Sequence, residues 1–102
     1  MPGVRYTVHV RVKDGLEEEF IQRYDALQRR VARGLDGHVA HELCRDLEDP
    51  SRWLITSRWE SLDASQSWDR SDEHRELMLP MRECWEDAQR SGYEVEVETV
   101  HP

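Results

Sequence analysis

The order in which strand-like and helix-like segments follow one another constrains the fold of this chain more than any other feature. Apolar side chains recur at every second position in four segments, which are Val4 to Val12, His38 to Leu47, Arg52 to Glu60 and Tyr93 to His101. This spacing is typical of strands that bury one of their two faces. The sequence therefore predicts four strands.

Two segments between these strands show helical periodicity instead. The first runs from Leu16 to about Arg33, with its apolar stripe formed by Leu16, Phe20, Tyr24, Leu27 and Val31. The second follows a short segment that carries Trp68, and its stripe is formed by His74, Leu77, Met78, Met81, Trp85 and Ala88. The order β-α-β-β-α-β predicts an α+β, ferredoxin-like fold of one domain, residues 1–102. Its antiparallel four-stranded sheet should place the last strand beside the first.

Charge and hydropathy exclude several functions. The net charge of −8 argues against a groove that follows the phosphates of a nucleic acid. No apolar run approaches the roughly 20 residues that a membrane span needs, and the first residues do not form a secretion signal. We therefore expect a cytoplasmic protein that binds neither nucleic acid nor membranes. Cys44 and Cys84 are expected to be free thiols.

One face of the predicted sheet is charged. If the first and last strands are neighbours, a row of glutamates lies opposite a row of basic residues, with Glu94, Glu96 and Glu98 facing Arg5, His9 and Arg11. Two interpretations stay open, a face exposed to solvent and a face closed against a second subunit. Because two helices can cover only one face of the sheet, we expect a homodimer.

A pocket is expected between the second helix and the other face of the sheet. His74 and Arg75 lie there beside a Trp-rich apolar surface, where a buried polar group without a hydrogen-bond partner or ligand is costly in free energy. The expected lining is Trp59, Trp68, Ser57, Tyr24, His41, Met78, Met81 and Trp85. Pro80 should kink the helix and help to leave a cavity. The alternative that Met78, Met81 and Trp85 only fill the core stays open.

A tempting metal pattern, H-x-x-H-x-x-C, begins at His38. On a regular strand, His38 and Cys44 point to one side and His41 to the other, so the three cannot bind one ion. His41 would share its side with Val39 and Leu43, and it is either a pocket residue or a hydrogen-bonded core histidine. No phosphate loop or nucleophile elbow occurs in the sequence, so no metal and no cofactor is expected.

Several short features occur in the order found in one known family. They are Tyr6–Val12, Gly37, Asp49-Pro50, Trp59-Glu60-Ser61, Trp68 and Ser71-Asp72-Glu73-His74-Arg75. With these residues the sequence resembles the antibiotic biosynthesis monooxygenase family, which are small dimeric α+β-barrel proteins. The resemblance implies the same fold and a homodimer. It also implies a small aromatic substrate, since members oxidise anthrones or naphthacenones with O₂ and no metal, flavin or haem. Others degrade haem, and some relatives are cyclases or have no assigned activity.

The resemblance extends unevenly to the functional residues. Trp59 is similar to a substrate-anchoring Trp of the anthrone oxygenases, and Arg75 resembles an Arg on their helix. Ile55 and Ser65 stand where those enzymes have an Asn and a Tyr. The haem degraders have a strand Asn, a Trp that Trp68 matches and an axial His. Leu77 and Met78 occupy the positions of that His here, so haem degradation is not expected.

The function expected from the sequence is cofactor-independent oxygenation of an aromatic polyketide intermediate. His74 would act as the base and Arg75 would stabilise the enolate oxygen. Two alternatives stay open. One is a polyketide cyclase that uses the same base for an intramolecular aldol condensation, and the other is a binding or accessory protein without catalysis.

Overall fold

The computed structural model describes residues 3–102. Four strands and three helices are found in that part of the chain. In chain order they are β1 (Val4–Val12), α1 (Glu17–Ala32), β2 (His38–Arg45), β3 (Arg52–Trp59), α2 (Leu62–Asp69), α3 (Asp72–Arg82) and β4 (Trp85–Glu94). No helix among these is long and apolar enough to cross a membrane.

The strands form one antiparallel sheet in the order β2-β3-β1-β4. Val8 at the centre of β1 lies opposite Ile55 of β3 on one side and opposite Arg90 of β4 on the other. The last strand therefore lies beside the first. The predicted α+β, ferredoxin-like arrangement is confirmed.

The core lies between the helices and one face of the sheet. The stripe of α1 supplies Phe20, Tyr24, Leu27 and Val31, and all four are buried. Phe20 packs edge-on against Trp53 of β3, with ring centroids 5.4 Å apart. Trp53, Ile55 and Trp59 point to this side at every second position of β3, as their spacing predicted.

The second helical region differs from the prediction, because it consists of two helices. Ser61 caps α2 by accepting a hydrogen bond from the backbone of Ala64, and Ser71 caps α3 in the same way from His74. The predicted continuation to Ala88 is wrong, since α3 ends at Arg82, two residues after Pro80. Trp85 and Ala88 belong to β4 instead. The pairing of β4 with β1 shifts register between Arg11 and Val12. Trp85 and Ala88 are therefore both strand residues, although their spacing of three positions resembles that of a helix.

The last strand begins eight residues earlier than predicted. β4 is an edge strand that pairs only with β1, and its polar sequence hides its alternation. The alternating segment from Val95 onward has no regular structure. The predicted row of three glutamates on β4 is therefore wrong. Glu98 still reaches the open face of the sheet, where its carboxylate accepts hydrogen bonds from Arg5 at 2.8 Å and Arg58 at 2.9 Å.

The register of β2 also departs from a regular strand. It shifts between His38 and Ala40, so that His38 and His41 point to the same side, with ring centroids 5.7 Å apart. The prediction that they point to opposite sides is wrong, and so is the one that His41 shares its side with Val39, which is exposed. Cys44 is also exposed. Between residues 3 and 102 no three His, Cys, Asp or Glu side chains are grouped to hold a metal ion.

Candidate functional site

A cavity of about 240 Å³ lies between α3 and the helix-covered face of the sheet. Aromatic and apolar side chains form most of its wall, and six ionisable side chains also line it. The lining residues are Tyr6, Val8, Leu27, His41, Ile55, Ser57, Trp59, Trp68, Asp69, His74, Met78, Arg82, Trp85, Ala88 and Arg90. An apolar cavity with a few convergent polar groups is the usual form of a small-molecule site.

A larger depression of about 780 Å³ lies beside the β2–β3 hairpin. Most of its lining is charged or polar, and it includes the fully exposed Leu47. Such an open surface cannot exclude water from a reacting group, so the smaller cavity is the better candidate for chemistry.

Two tryptophans form the aromatic wall. Trp59 ends β3 and Trp68 lies in α2, and both are almost fully buried. The indole N–H of Trp59 donates to the hydroxyl of Ser57 at 3.2 Å. This bond fixes the Trp59 ring and leaves the hydroxyl proton of Ser57 free to donate into the cavity.

His74 enters the cavity from the first turn of α3. Its ring packs edge-on against Trp68, with centroids 5.4 Å apart, and its Nε2 lies 3.8 Å from a carboxylate oxygen of Asp69. Burial lowers the pKa of His74, Asp69 acts to raise it, and Arg90 and Arg82 lower it further. The net effect is a lowered pKa, so the imidazole is neutral near pH 7 and able to accept a proton.

Asp69 also connects His74 to the last strand. Arg90 donates a hydrogen bond to the Asp69 carboxylate, and its guanidinium lies 4.3 Å from the ring centroid of Tyr6. Arg90 is half-exposed, whereas Asp69 and His74 are mostly covered. These charged groups mark the mouth of the cavity.

His41 reaches the cavity from β2. Its ring lies 5.8 Å from that of Tyr24 and 5.7 Å from that of His38. Burial, together with the nearby His38 and His74, lowers the pKa of His41 from 6.5 to about 4. Burial also raises the pKa of the Tyr24 phenol. Both groups are therefore neutral at physiological pH.

Most of the expected pocket residues line the cavity. They are His74, Trp59, Trp68, Ser57, His41, Met78 and Trp85. Three expected residues do not line it. Met81 is fully buried in the core, and Tyr24 lies behind His41. Arg75 is largely exposed and lies 3.8 Å from Asp72.

The charged residues at the mouth, Asp69, Arg82 and Arg90, were not predicted from the sequence. Arg90 precedes Tyr93, where the predicted last strand begins, and Arg82 lies outside the predicted apolar stripe of the second helical segment. Asp69 directly follows Trp68, which was a usable signal once α2 was recognised as a helix. Tyr6 also lines the cavity, although no role is predicted for it from the sequence.

Comparisons with known proteins agree with this fold. The chain is 40% identical over 96 residues to a 42.8 kDa protein in the whiE locus of Streptomyces coelicolor, covering 94% of this chain and 24% of that protein. It is 33% identical over 96 residues to the polyketide synthase CurD of Streptomyces cyaneus, covering 94% of this chain and 25% of that protein. The chain thus spans about a quarter of the length of these relatives.

A solved structure shows the same arrangement of elements. SnoaB, a cofactor-independent oxygenase from Streptomyces nogalater, superimposes with a TM-score of 0.84 and 17% sequence identity, covering 98% of each chain. At this identity the likeness concerns the fold. The profile of the family described as antibiotic biosynthesis monooxygenase matches residues 4–78, and the chain belongs to this family.

Proposed function

We propose that this chain oxidises a flat aromatic polyketide intermediate with O₂ in the cavity beneath α3, without a cofactor. The cavity volume of about 240 Å³ lies just below the range of about 300–1,000 Å³ typical of drug-sized ligands, which favours a compound of two or three fused rings. The name of one relative, the polyketide synthase CurD of Streptomyces cyaneus, favours a polyketide. Trp59 and Trp68 supply apolar surfaces against which such rings can pack.

His74 is the base of the proposed reaction. A neutral imidazole can remove a proton from an activated ring methylene or phenol. Asp69, 3.8 Å from Nε2, would stabilise the imidazolium that forms. Asp69 is thus a positioning residue, and the hydrogen bond that Arg90 donates holds its carboxylate in place.

The developing negative charge on the substrate oxygen needs a cation at the cavity. Arg90 and Arg82 line the cavity, whereas Arg75 does not. We therefore assign this role to Arg90 or Arg82 in place of Arg75. Arg90 is the stronger candidate, because its contacts with Tyr6 and Asp69 fix the guanidinium at the mouth.

The oxidation balances without a cofactor. His74 takes one proton, and the resulting carbanion transfers one electron to O₂ to give a substrate radical and superoxide. Their combination forms a C–O bond, and protonation gives a hydroperoxide. Loss of water from the hydroperoxide then converts the methylene to a carbonyl. The net reaction consumes one O₂ and releases one water.

The observation that carries this proposal is the largely covered His74 ring between Trp68 and Asp69 in the cavity of a family member. The test measures product and O₂ uptake with a hydroxylated anthrone, in air and under nitrogen. We expect one O₂ consumed for each product formed in air and no product under nitrogen. Turnover of a polyketone substrate without O₂ would instead favour the cyclase, and binding without turnover in either case would favour an accessory protein.

We also propose that the chain is a homodimer. The face of the sheet opposite the helices carries Arg5, Thr7 and Arg58, and Glu98 from the segment after β4 contacts both arginines. A second copy would cover the rest of this face. Sedimentation equilibrium at micromolar concentration should give twice the 12.1 kDa chain mass. A particle of one chain mass would contradict the proposal.

A further inference from the structure

The cavity has a second polar region at the β2–β3 side, away from the charged mouth. His41 and Ser57 lie directly opposite one another on these neighbouring strands. Both line the cavity. Side chains in such positions have Cβ atoms about 4.5–5.5 Å apart, so they can hold one ligand atom between them. The other lining residues from these strands are Ile55 and Trp59, and none of the four is charged near pH 7.

The ring of His41 has unused hydrogen-bonding capacity. Both ring nitrogens are fully buried, and neither has a hydrogen-bond partner within residues 3–102. Leaving a buried polar atom without a partner costs about 1–3 kcal/mol. A neutral imidazole carries one N–H donor and one bare nitrogen acceptor.

Ser57 complements this capacity. Its oxygen already accepts from the Trp59 indole, so its proton is directed elsewhere. One nitrogen of His41, which can donate or accept according to the tautomer, and the hydroxyl of Ser57, which can donate, can therefore meet one ligand oxygen. This combination suits a hydroxyl or a keto oxygen. It does not suit a carboxylate, because no cation among the lining residues of β2 and β3 would compensate the charge.

We propose that His41 and Ser57 form a neutral subsite for an uncharged hydroxyl or keto oxygen, at the end of the substrate opposite the mouth. The inference rests on the proposed function, since it takes the cavity to be the site of an aromatic substrate. The substrate class is thereby narrowed to fused aromatic rings with an oxygen substituent at each end. One oxygen meets His74 and Arg90 at the mouth, and the other meets His41 and Ser57.

The test compares two probes that differ only at the inner end. One is β-naphthol, with a single hydroxyl, and the other is its analogue with a second hydroxyl on the opposite ring. Binding is measured by titration calorimetry under nitrogen, so that no oxidation occurs. We expect the protein to bind the dihydroxy probe about 10-fold more tightly, as one or two net hydrogen bonds would give. In His41→Phe this preference should fall to about 2-fold or less.

His38→Phe is the matched control. His38 is on the same strand and the same side as His41, but it does not line the cavity. This variant should keep the full preference. Should His41→Phe fail to fold, His41→Gln and Ser57→Ala carry the test. The first should keep part of the preference because an amide still donates and accepts, and the second should lower it.

Three results would overturn the inference. The first is equal binding of both probes by the unmodified protein, which includes no binding of either. The second is a preference for the dihydroxy probe that survives His41→Phe. The third is a preference that falls as much in His38→Phe as in His41→Phe. The result of this binding test can be distinguished from the result of the O₂-uptake test of the proposed function. Oxygenation can fail while the His41-dependent preference persists, and the preference can be absent while O₂-dependent turnover is observed.

Discussion

The two imidazoles of the cavity have the same chemistry and opposite surroundings. His74 lies at the mouth, beside Asp69 and within the influence of Arg90. His41 lies on the β2 side, between Tyr24 and His38, without a carboxylate partner. Burial lowers the pKa of both, but only His74 has a group that favours its protonated form. The difference assigns proton transfer to His74 and neutral hydrogen bonding to His41, because environment decides which of two like groups is the base.

The largest expected effect separates these two roles directly. His74→Ala removes the proposed base, and turnover should fall about 10²–10⁴-fold, the range typical of a lost general base. His41→Phe keeps the base and should change turnover of the single-hydroxyl substrate far less. Steady-state O₂ uptake, with circular dichroism to check folding, measures both. Equal losses in the two variants would contradict the division of roles.

A second comparison concerns the cation at the mouth. Arg90→Ala should lower turnover by up to about 10²-fold, because it removes charge beside the developing oxyanion and one partner of Asp69. Arg75→Ala is the matched control on α3, where the guanidinium is largely exposed and outside the cavity lining. Its turnover should stay unchanged. If Arg75→Ala caused the larger loss, the role inferred from the sequence resemblance would be restored.

The third prediction uses the pH dependence of stability. In the unfolded chain His41 should titrate near 6.5, and in the folded protein its pKa is about 4. Between these values the unfolded state binds more protons, so the free energy of unfolding falls as the pH drops from about 6.5 to about 4. The loss accumulates across this window and stays constant at lower pH. Its size from His41 alone is on the order of 3 kcal/mol.

Urea unfolding at a series of pH values measures this loss. His38 and His74 act in the same direction, since their pKa values are also lowered by burial. His41→Phe should therefore flatten the curve in part and leave a smaller slope. A curve in His41→Phe as steep as that of the unmodified protein would show that His41 is hydrated or partnered in solution, which would weaken the contrast with His74.

The parts of the molecule that the sequence predicted well are those whose pattern reflects local burial. β1, α1 and β3 each bury one regular face, so their spacing specified both the element and its orientation. Trp59 followed from the buried face of β3, and His74 followed from the apolar stripe of the second helical segment. β4 could not be found in this way, because an edge strand with one partner tolerates a polar sequence. Arg90 could not be predicted as a cavity residue for the same reason, because it lies in β4. That His38 and His41 point to the same side of the sheet depends on a register shift in β2, which the sequence spacing does not reveal.

The smallest expected effect tests how the mouth is held in place. Ser71 accepts a hydrogen bond from the backbone N–H of His74 at 3.1 Å and donates one to the carbonyl oxygen of Trp68 at 2.6 Å. Ser71→Ala should lower the free energy of unfolding by about 1 kcal/mol, as expected for a lost helix cap. It should also lower turnover a few-fold, because the first turn of α3 orients His74 toward Asp69. Ser61→Ala is the matched control, since it removes the cap of α2 without touching His74. Thermal or urea unfolding should show similar losses for the two variants, while O₂ uptake should fall only in Ser71→Ala. If both variants lost the same activity, the effect would reflect stability alone, and α3 would hold His74 in place without help from its cap.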